Sequence, residues 1–249
     1  MNYTAPLPPQ DPFATEALRL EAVTVSAYFD DLLDHAITAN HPHLDTLIVV
    51  TAHDDRRTQQ VCAKHGCICV PTDLLKKNGR QFNKGAAINA GFNRFQYNGW
   101  RVHLDADILL PDNARRLLFN HTHLERDCIY GCDRIDVVGR SEIEAVRTHR
   151  QHNWGFLVYP THRAPITARY VDGLHGYVPI GFFQLWHASK QSMYPFTLGS
   201  AAHDDVCFAT LWPAGKRRHL PQLICHHMVT EKDAIFGNNW EGRKQKRLT

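Results

Sequence analysis

Apolar runs of strand length alternate with segments of helical periodicity through the first half of the sequence, and this order restricts the fold more than any other feature. Strands are predicted at residues 20–27, 46–50, 67–71 and 100–107, and helices at 30–40, 56–65, 83–95 and 111–125. Such an alternation is typical of an α/β domain with a mostly parallel central sheet and helices on both faces. We expect a ligand site at the carboxyl ends of the strands.

The second half is less regular. Strand-like runs occur at 127–132, 154–159, 176–187 and 220–227, with one helix near 204–211. One domain is predicted over residues 17–237, after a proline-rich surface arm at 1–16. A basic tail follows at 238–249, and we expect it either to be solvated or to face a phosphate or polyanion.

Composition excludes several classes of protein. A chain of 249 residues with 43% hydrophobic and 21% charged residues is long enough to bury a core and is not of the disordered type. No run approaches the about 18 apolar residues of a membrane span, and the first residues do not resemble a secretory signal. The seven scattered cysteines favour reduced thiols and a cytoplasmic protein, and the net charge of +3 is too small to require nucleic acid.

The most specific polar motif is Asp105-Ala106-Asp107, at the end of an apolar strand. In an extended chain, residues two apart point the same way, so both carboxylates can face one point, where oxygen ligands suit Mg²⁺ or Mn²⁺. His226 and His227 follow the last apolar run, and one imidazole can complete such a site. A solvated turn remains the alternative for the two aspartates.

Two predicted helix starts also carry charge. Asn83 is a predicted N-cap, and Lys84 follows it in a first turn whose backbone N–H groups and dipole favour anions. Ordinary helix capping explains this segment equally well. Asp204 and Asp205 precede an apolar helical run, where a carboxylate serves either as a cap or as a base.

In order and spacing, these motifs resemble the nucleotide-sugar-dependent glycosyltransferases of the GT-A fold, close to glycosyltransferase family 2. The resemblance covers about residues 20 to 243 and rests on NKGAAIN at 83–89, DAD at 105–107, DDV at 204–206, HH at 226–227 and NWEGR at 239–243. It implies a single GT-A-like, Rossmann-like domain. It also implies metal-dependent sugar transfer from a nucleoside diphosphate sugar to an acceptor hydroxyl, with inversion.

The resemblance implies which residues contact the donor. Ser26 and Tyr28 match the end of the first strand, where the family holds the base, although the usual Pro-Thr-Tyr-Asn is absent here. Asp54 and Asp55 match acids beside the base, and Lys84 matches a position near the diphosphate. The resemblance favours a UDP-sugar as the donor and leaves nucleotide sugars with other bases open.

The same resemblance implies a Mn²⁺ or Mg²⁺ site. Asp107 would be the direct ligand, and Asp105 would lie near the ribose and the metal. His227, or failing that His226, would be the third contact from the protein. In the tail, the side chains expected to close over the donor are Trp240 and Arg243.

On the acceptor side, Asp205 matches the general base of inverting members, and Asp204 stands where the family has glutamate. Gly181, Gln184 and Trp186 match a strand that lines the sugar and acceptor subsites, with a core position as the alternative for Trp186. The acceptor itself is left open between a glycan, a lipid-linked sugar, a protein and modified DNA, the last favoured slightly by the basic tail.

Other classes remain as alternatives. A haloacid dehalogenase-like phosphatase also uses Asp-x-Asp after a strand, but there the motif opens the domain. A nucleotidyltransferase would need a glycine-rich loop after the first strand, and SAYFDD has none. A non-catalytic sugar- or nucleotide-binding module would lack turnover of the donor.

Overall fold

A computed structural model describes residues 18–79, 82–120, 123–148, 170–172, 176–190, 192–195, 197, 200–231, 243 and 246–248. The strands are β1 (Leu20–Val25), β2 (Thr46–Ala52), β3 (Ile68–Thr72), β4 (Trp100–Leu104), β5 (Ile108–Leu109), β6 (Ile129–Val138), β7 (Tyr170–Asp172), β8 (Gly176–Val178), β9 (Phe183–His187) and β10 (Arg217–Val229). The α-helices are α1 (Asp30–Asn40), α2 (Arg56–His65), α3 (Lys84–Phe92), α4 (Ala114–Asn120), α5 (Gly139–Thr148) and α6 (Ala201–Ala209). The strand predicted at 154–159 lies outside the described residues.

Eight strands form one mixed sheet in the order β3-β2-β1-β4-β9-β6-β10-β5. The pairs from β3 to β4 are parallel, as is β6 with β10, whereas β9 runs antiparallel to both of its neighbours and β5 runs antiparallel to β10. The prediction of a mostly parallel sheet therefore holds best for the first half of the chain. β7 and β8 pair separately.

Helices cover both faces of this sheet because β1 and β2 are apolar on both sides. Leu20 and Ala22 pack into one core with α1, whereas Val23 and Val25 pack into a second core with α3 and α6. Strands buried on both faces read as continuous apolar runs, which is what made β2 recognisable in the sequence. Within the described ranges, no helix has both the length and the hydropathy needed to cross a bilayer.

The second half departs from the predicted elements. The run at 176–187 is two strands, β8 and β9, which belong to different sheets. Pro179 and Gly181 lie between them, and a proline cannot donate to a strand ladder. Helix α5 was not predicted, although Ile143 is fully buried on it and the carboxylate of Glu142 accepts from the Val138 N–H at 2.7 Å.

The described part of the basic tail is bound to the first turn of α1. Arg243 donates to both carboxylate oxygens of Asp31, and Arg247 does the same to Asp30. The backbone N–H of Leu248 also donates to Asp31 Oδ2 at 2.7 Å. Asp30 was predicted as an N-cap, but the N-cap residue is Phe29, and Asp30 is the first residue of the helix. Both guanidinium groups are therefore paired with carboxylates of α1, although Arg247 remains exposed, and Trp240 lies outside the described residues.

The Arg243→Gln variant should be less stable than the wild type by about 3 kcal/mol, because it leaves the nearly buried Asp31 carboxylate without its bidentate partner. Burial acts to raise the pKa of Asp31, yet the bond to Arg243 holds that pKa below its ordinary value. The stabilisation is therefore complete above about pH 4 and is lost as the pH falls through the lowered pKa.

Urea unfolding at pH 7 measures this loss, with Arg116→Gln as the matched control. Arg116 is an exposed arginine of α4, so its replacement should change the free energy of unfolding by less than about 0.5 kcal/mol. Equal midpoints for the two variants would show that the tail contact contributes nothing to stability.

Candidate active site

The Asp105-Ala106-Asp107 segment is a turn between β4 and β5. β4 ends at Leu104, and the Ile108 N–H donates to the Asp105 carbonyl at 3.2 Å. The extended geometry from which a common direction of the two carboxylates was predicted is therefore absent. Asp105 approaches Lys84, whereas Asp107 approaches His227.

Asp107 and His227 form a pair suited to a divalent ion. Nε2 of His227 lies 3.4 Å from Asp107 Oδ2, and Nδ1 of the same ring donates to Asp136 Oδ1 at 2.7 Å. A carboxylate behind a histidine ligand sets the ring orientation and leaves the other nitrogen for the metal. Oδ1 of Asp107 is buried and has no hydrogen-bond partner among the described residues, so it is available as a ligand.

Each member of this pair stabilises the charged form of the other. Burial lowers the pKa of His227, but the charge of Asp107 raises it above the ordinary value. Burial likewise acts to raise the pKa of Asp107, and His227 brings it below the ordinary value. Carboxylate oxygen with imidazole nitrogen is a donor set that suits Mn²⁺.

Among the described residues, the two candidate ligands at this point are Asp107 and His227. His226 precedes His227 on β10, and adjacent strand residues point to opposite faces of a sheet, so His226 does not face Asp107. In the described part of the chain, the predicted set of Asp105, Asp107, His226 and His227 does not bring three ligand atoms within 4.8 Å of one another.

Lys84 lies between two carboxylates and is only 5% exposed. Its Nζ is 2.8 Å from Asp105 Oδ1 and 3.1 Å from Asp205 Oδ2. Burial lowers the pKa of Lys84, but the two carboxylates raise it above its ordinary value, so the amine stays charged. The predicted contact of Lys84 with a diphosphate is not what this geometry provides, because its charge is already neutralised within the chain.

Asp205 has the properties of a general base. It is 7% exposed, and its Oδ1 is buried without a hydrogen-bond partner among the described residues. Burial raises its pKa to about 7, with Lys84 lowering it and Asp105 raising it. Gly181 makes room for this carboxylate, because a Cβ at position 181 would lie 1.9 Å from Asp205 Oδ2.

Asp204 is a structural residue. Its Oδ2 accepts from the Gly85 N–H at 3.1 Å, and Asn83 Oδ1 accepts from the Ala86 N–H. The first turn of α3 is thus capped by two side chains of the chain itself. The anion that this helix start was predicted to attract is the carboxylate of Asp204, and not a phosphate.

Two predicted acceptor residues belong to the core. Trp186 has no exposed surface and packs against Phe92 and Phe208, so it cannot stack on a sugar. Gln184 is also fully buried, and its amide donates to the backbone carbonyls of Pro179 and Asp205. Its effect on the site is indirect, through the placement of Asp205.

At the ends of β1 and β2, the predicted base contacts divide into buried and exposed residues. Ser26 is fully buried, and Asp55 caps α2 by accepting from the Thr58 N–H while it also accepts from the Tyr28 N–H. Neither side chain is accessible to a nucleotide base. Tyr28 is 37% exposed with a φ of 65°, and its hydroxyl donates to Asp54 Oδ1 at 2.8 Å. Tyr28 and Asp54 are the accessible pair.

Sequence reasoning missed Arg134 and Asp136, because it ended the corresponding strand at Cys132. β6 continues to Val138, and residues 134 and 136 share one face of it. The charge of Arg134 acts to lower the pKa values of Asp105, Asp107 and His227, so its guanidinium lies within electrostatic range of all three groups. The alternation of apolar residues with Asp136 and Arg134 was the available signal.

Comparisons with known proteins bear on the fold. No protein-family model matches the sequence, and no curated protein is significantly similar to it. The structure is similar to mannosyl-3-phosphoglycerate synthase from Rubrobacter xylanophilus, with a TM-score of 0.51, 18% identity and coverage of 86% of this chain and 66% of that chain. The chain thus spans just under two thirds of that enzyme's length.

A second similar structure is glucosyl-3-phosphoglycerate synthase from Mycobacterium tuberculosis, solved in complex with Mn²⁺, UDP and glucosyl-3-phosphoglycerate. Its TM-score is 0.47 and its identity 14%, over 91% of this chain and 77% of that chain. The likeness to the Rubrobacter xylanophilus enzyme shows the fold, and it confirms the GT-A-like architecture that the sequence motifs implied.

Proposed function

We propose that the chain is a metal-dependent glycosyltransferase that transfers a sugar from a nucleoside diphosphate sugar to an acceptor hydroxyl, with inversion. One observation carries this proposal: the buried Asp205, whose pKa of about 7 suits a general base, lies one lysine away from the Asp105-Ala106-Asp107 turn. The glycosyltransferase fold supports it.

Asp107 and His227 would hold Mn²⁺ or Mg²⁺. When bound, such an ion supplies positive charge that stabilises the departing diphosphate. Asp136 keeps the His227 ring oriented for that task. Tyr28 presents an exposed aromatic ring at the end of β1, with Asp54 on its hydroxyl, and these two side chains would contact the base of a UDP-sugar.

Asp205 would take the proton of the acceptor hydroxyl as the oxygen attacks the anomeric carbon. The carbon–oxygen bond to the diphosphate breaks on the opposite face, and the diphosphate keeps the bonding electrons, so the configuration inverts. Lys84 has two effects on this base: its charge limits the rise in the Asp205 pKa, and its hydrogen bond holds Oδ2, which leaves Oδ1 for the acceptor.

The acceptor is proposed to be a small hydroxyl compound with an acidic group, by analogy with the name of the Rubrobacter xylanophilus enzyme. A glycan acceptor is the other candidate. Modified DNA has lost its support, because Arg243 and Arg247, which favoured a polyanion, pair with Asp31 and Asp30.

Removing either proposed metal ligand should abolish metal-dependent nucleotide binding. In His227→Gln and Asp107→Asn, the affinity for UDP measured by calorimetry with Mn²⁺ should fall to the level seen in EDTA. Asp136→Asn should reduce the affinity for Mn²⁺ by about 10- to 100-fold, because it orients a ligand without being one. The matched control is His41→Gln, at an exposed histidine before β2. Metal-dependent binding that survives in both ligand variants would rule out this site.

Replacing Asp205 with asparagine should lower sugar transfer by about 10²- to 10⁴-fold, because the amide cannot accept the proton. Donor binding should change little. In the wild type, transfer should fall as the pH drops below about 7, since the raised pKa leaves Asp205 protonated there.

A pH–rate profile measures this limb, and Asp73→Asn, at an exposed position, is the control expected to match the wild type. Near-normal transfer by Asp205→Asn, or a product with retained anomeric configuration, would refute the assignment.

A further inference from the structure

We propose that Arg134 is the residue that binds the diphosphate of the donor. This inference rests on the proposed function, since it assigns the leaving-group contact of the same cleft. The side chain would donate hydrogen bonds to phosphate oxygens and would transfer no proton.

The groups first expected to meet a diphosphate are committed elsewhere. Lys84 pairs with Asp105 and Asp205. Arg243 binds both carboxylate oxygens of Asp31. The start of α3 is capped by Asn83 and by the carboxylate of Asp204. The contacts of these three groups are thus made within the chain, and the candidate for a diphosphate contact is another basic side chain of the same region.

Arg134 is not committed in this way. Its Nε is buried and has no hydrogen-bond partner among the described residues. Among the described residues it forms an ion pair with Asp136, whose Oδ1 lies 4.0 Å from Nε, which is too far for a hydrogen bond. The guanidinium lies over the Phe182 ring at 5.0 Å from its centroid. Stacking of this kind holds the plane in position without using its N–H groups.

The position of Arg134 relative to the metal pair matches the size of a diphosphate. On β6, Arg134 lies two residues before Asp136 on the same face, and Asp136 pairs in register with His227 of β10. Two residues of a strand span about 7 Å, so a phosphate near Asp107 and His227 lies within reach of the arginine. A quarter of the side chain is exposed, which gives a ligand access to it.

A further cation also fits the charge of the site. Asp105 and Asp205 pair with Lys84, and Asp107 and Asp136 pair with His227, so four carboxylates face two basic side chains. A guanidinium presents paired donors that match two phosphate oxygens, which a lysine amine does not.

Calorimetric titration of UDP, GDP, uridine and guanosine in Mn²⁺ tests the inference on the intact 249-residue chain. For the diphosphate that binds the wild type more tightly, Arg134→Gln should reduce affinity by about 10- to 100-fold. The affinity for the corresponding nucleoside should not change. Arg134→Lys should give a smaller loss, because it keeps the charge without the planar fork.

The matched control is Arg218→Gln, at a half-exposed arginine of β10 that forms an ion pair with Glu125 at 3.9 Å, and it should bind as the wild type does. Thermal melting of each variant identifies a folding defect. If Arg134→Gln does not fold, the affinities for diphosphate and nucleoside are compared in Arg134→Lys. Unchanged diphosphate affinity in Arg134→Gln would overturn the inference, as would equal losses for nucleoside and diphosphate, or a wild type that binds neither diphosphate.

Failure of the proposed function would look different. If the wild type binds a nucleoside diphosphate through Arg134 but transfers no sugar, the phosphate contact is supported and the proposed transferase activity is refuted.

Discussion

Lys84 links three parts of the chain that are far apart in sequence, and the geometry of the site depends on it. It begins α3, and it binds Asp105 at the end of β4 and Asp205 on α6, the latter 121 residues away. A buried amine needs such partners, because an uncompensated charge in this position would be costly. The two carboxylates need the amine for the same reason. This mutual requirement holds the turn after β4 against α6, and so sets the distance between Asp105 and Asp205.

The two aspartates of the turn consequently have different tasks. Asp105 is balanced internally by Lys84, whereas Asp107 keeps a buried oxygen without a partner among the described residues and faces His227. Because the two aspartates differ in this way, one short motif can stabilise the fold through Asp105 and offer a ligand atom through Asp107. It also explains why Asp205 has a pKa near neutrality, since Lys84 is shared and compensates only part of its burial.

Local patterns in the sequence predicted the helices and strands of the first half of the chain well. Asn83 caps α3 as predicted, and Gly66, the residue after α2, has the left-handed conformation that glycine favours at a helix end. The partners of those elements were not predictable, because they are set by contacts between distant segments. No pattern near Lys84 announces two carboxylate neighbours, and no pattern near Trp186 distinguishes a core indole from one that stacks on a sugar. Arg134 was missed because a strand's length depends on its neighbour in the sheet.

The close approach of Asp205 to Gly181 has a consequence for the interpretation of homologous sequences. Any side chain at position 181 would occupy the volume that the carboxylate now fills, at a separation no Cβ atom tolerates. A homologue with another residue at this position could therefore keep the aspartate and still not hold its carboxylate in this place. Glycine at position 181 is thus a sequence marker for the placement of Asp205 seen here, and its replacement would indicate that the carboxylate lies elsewhere.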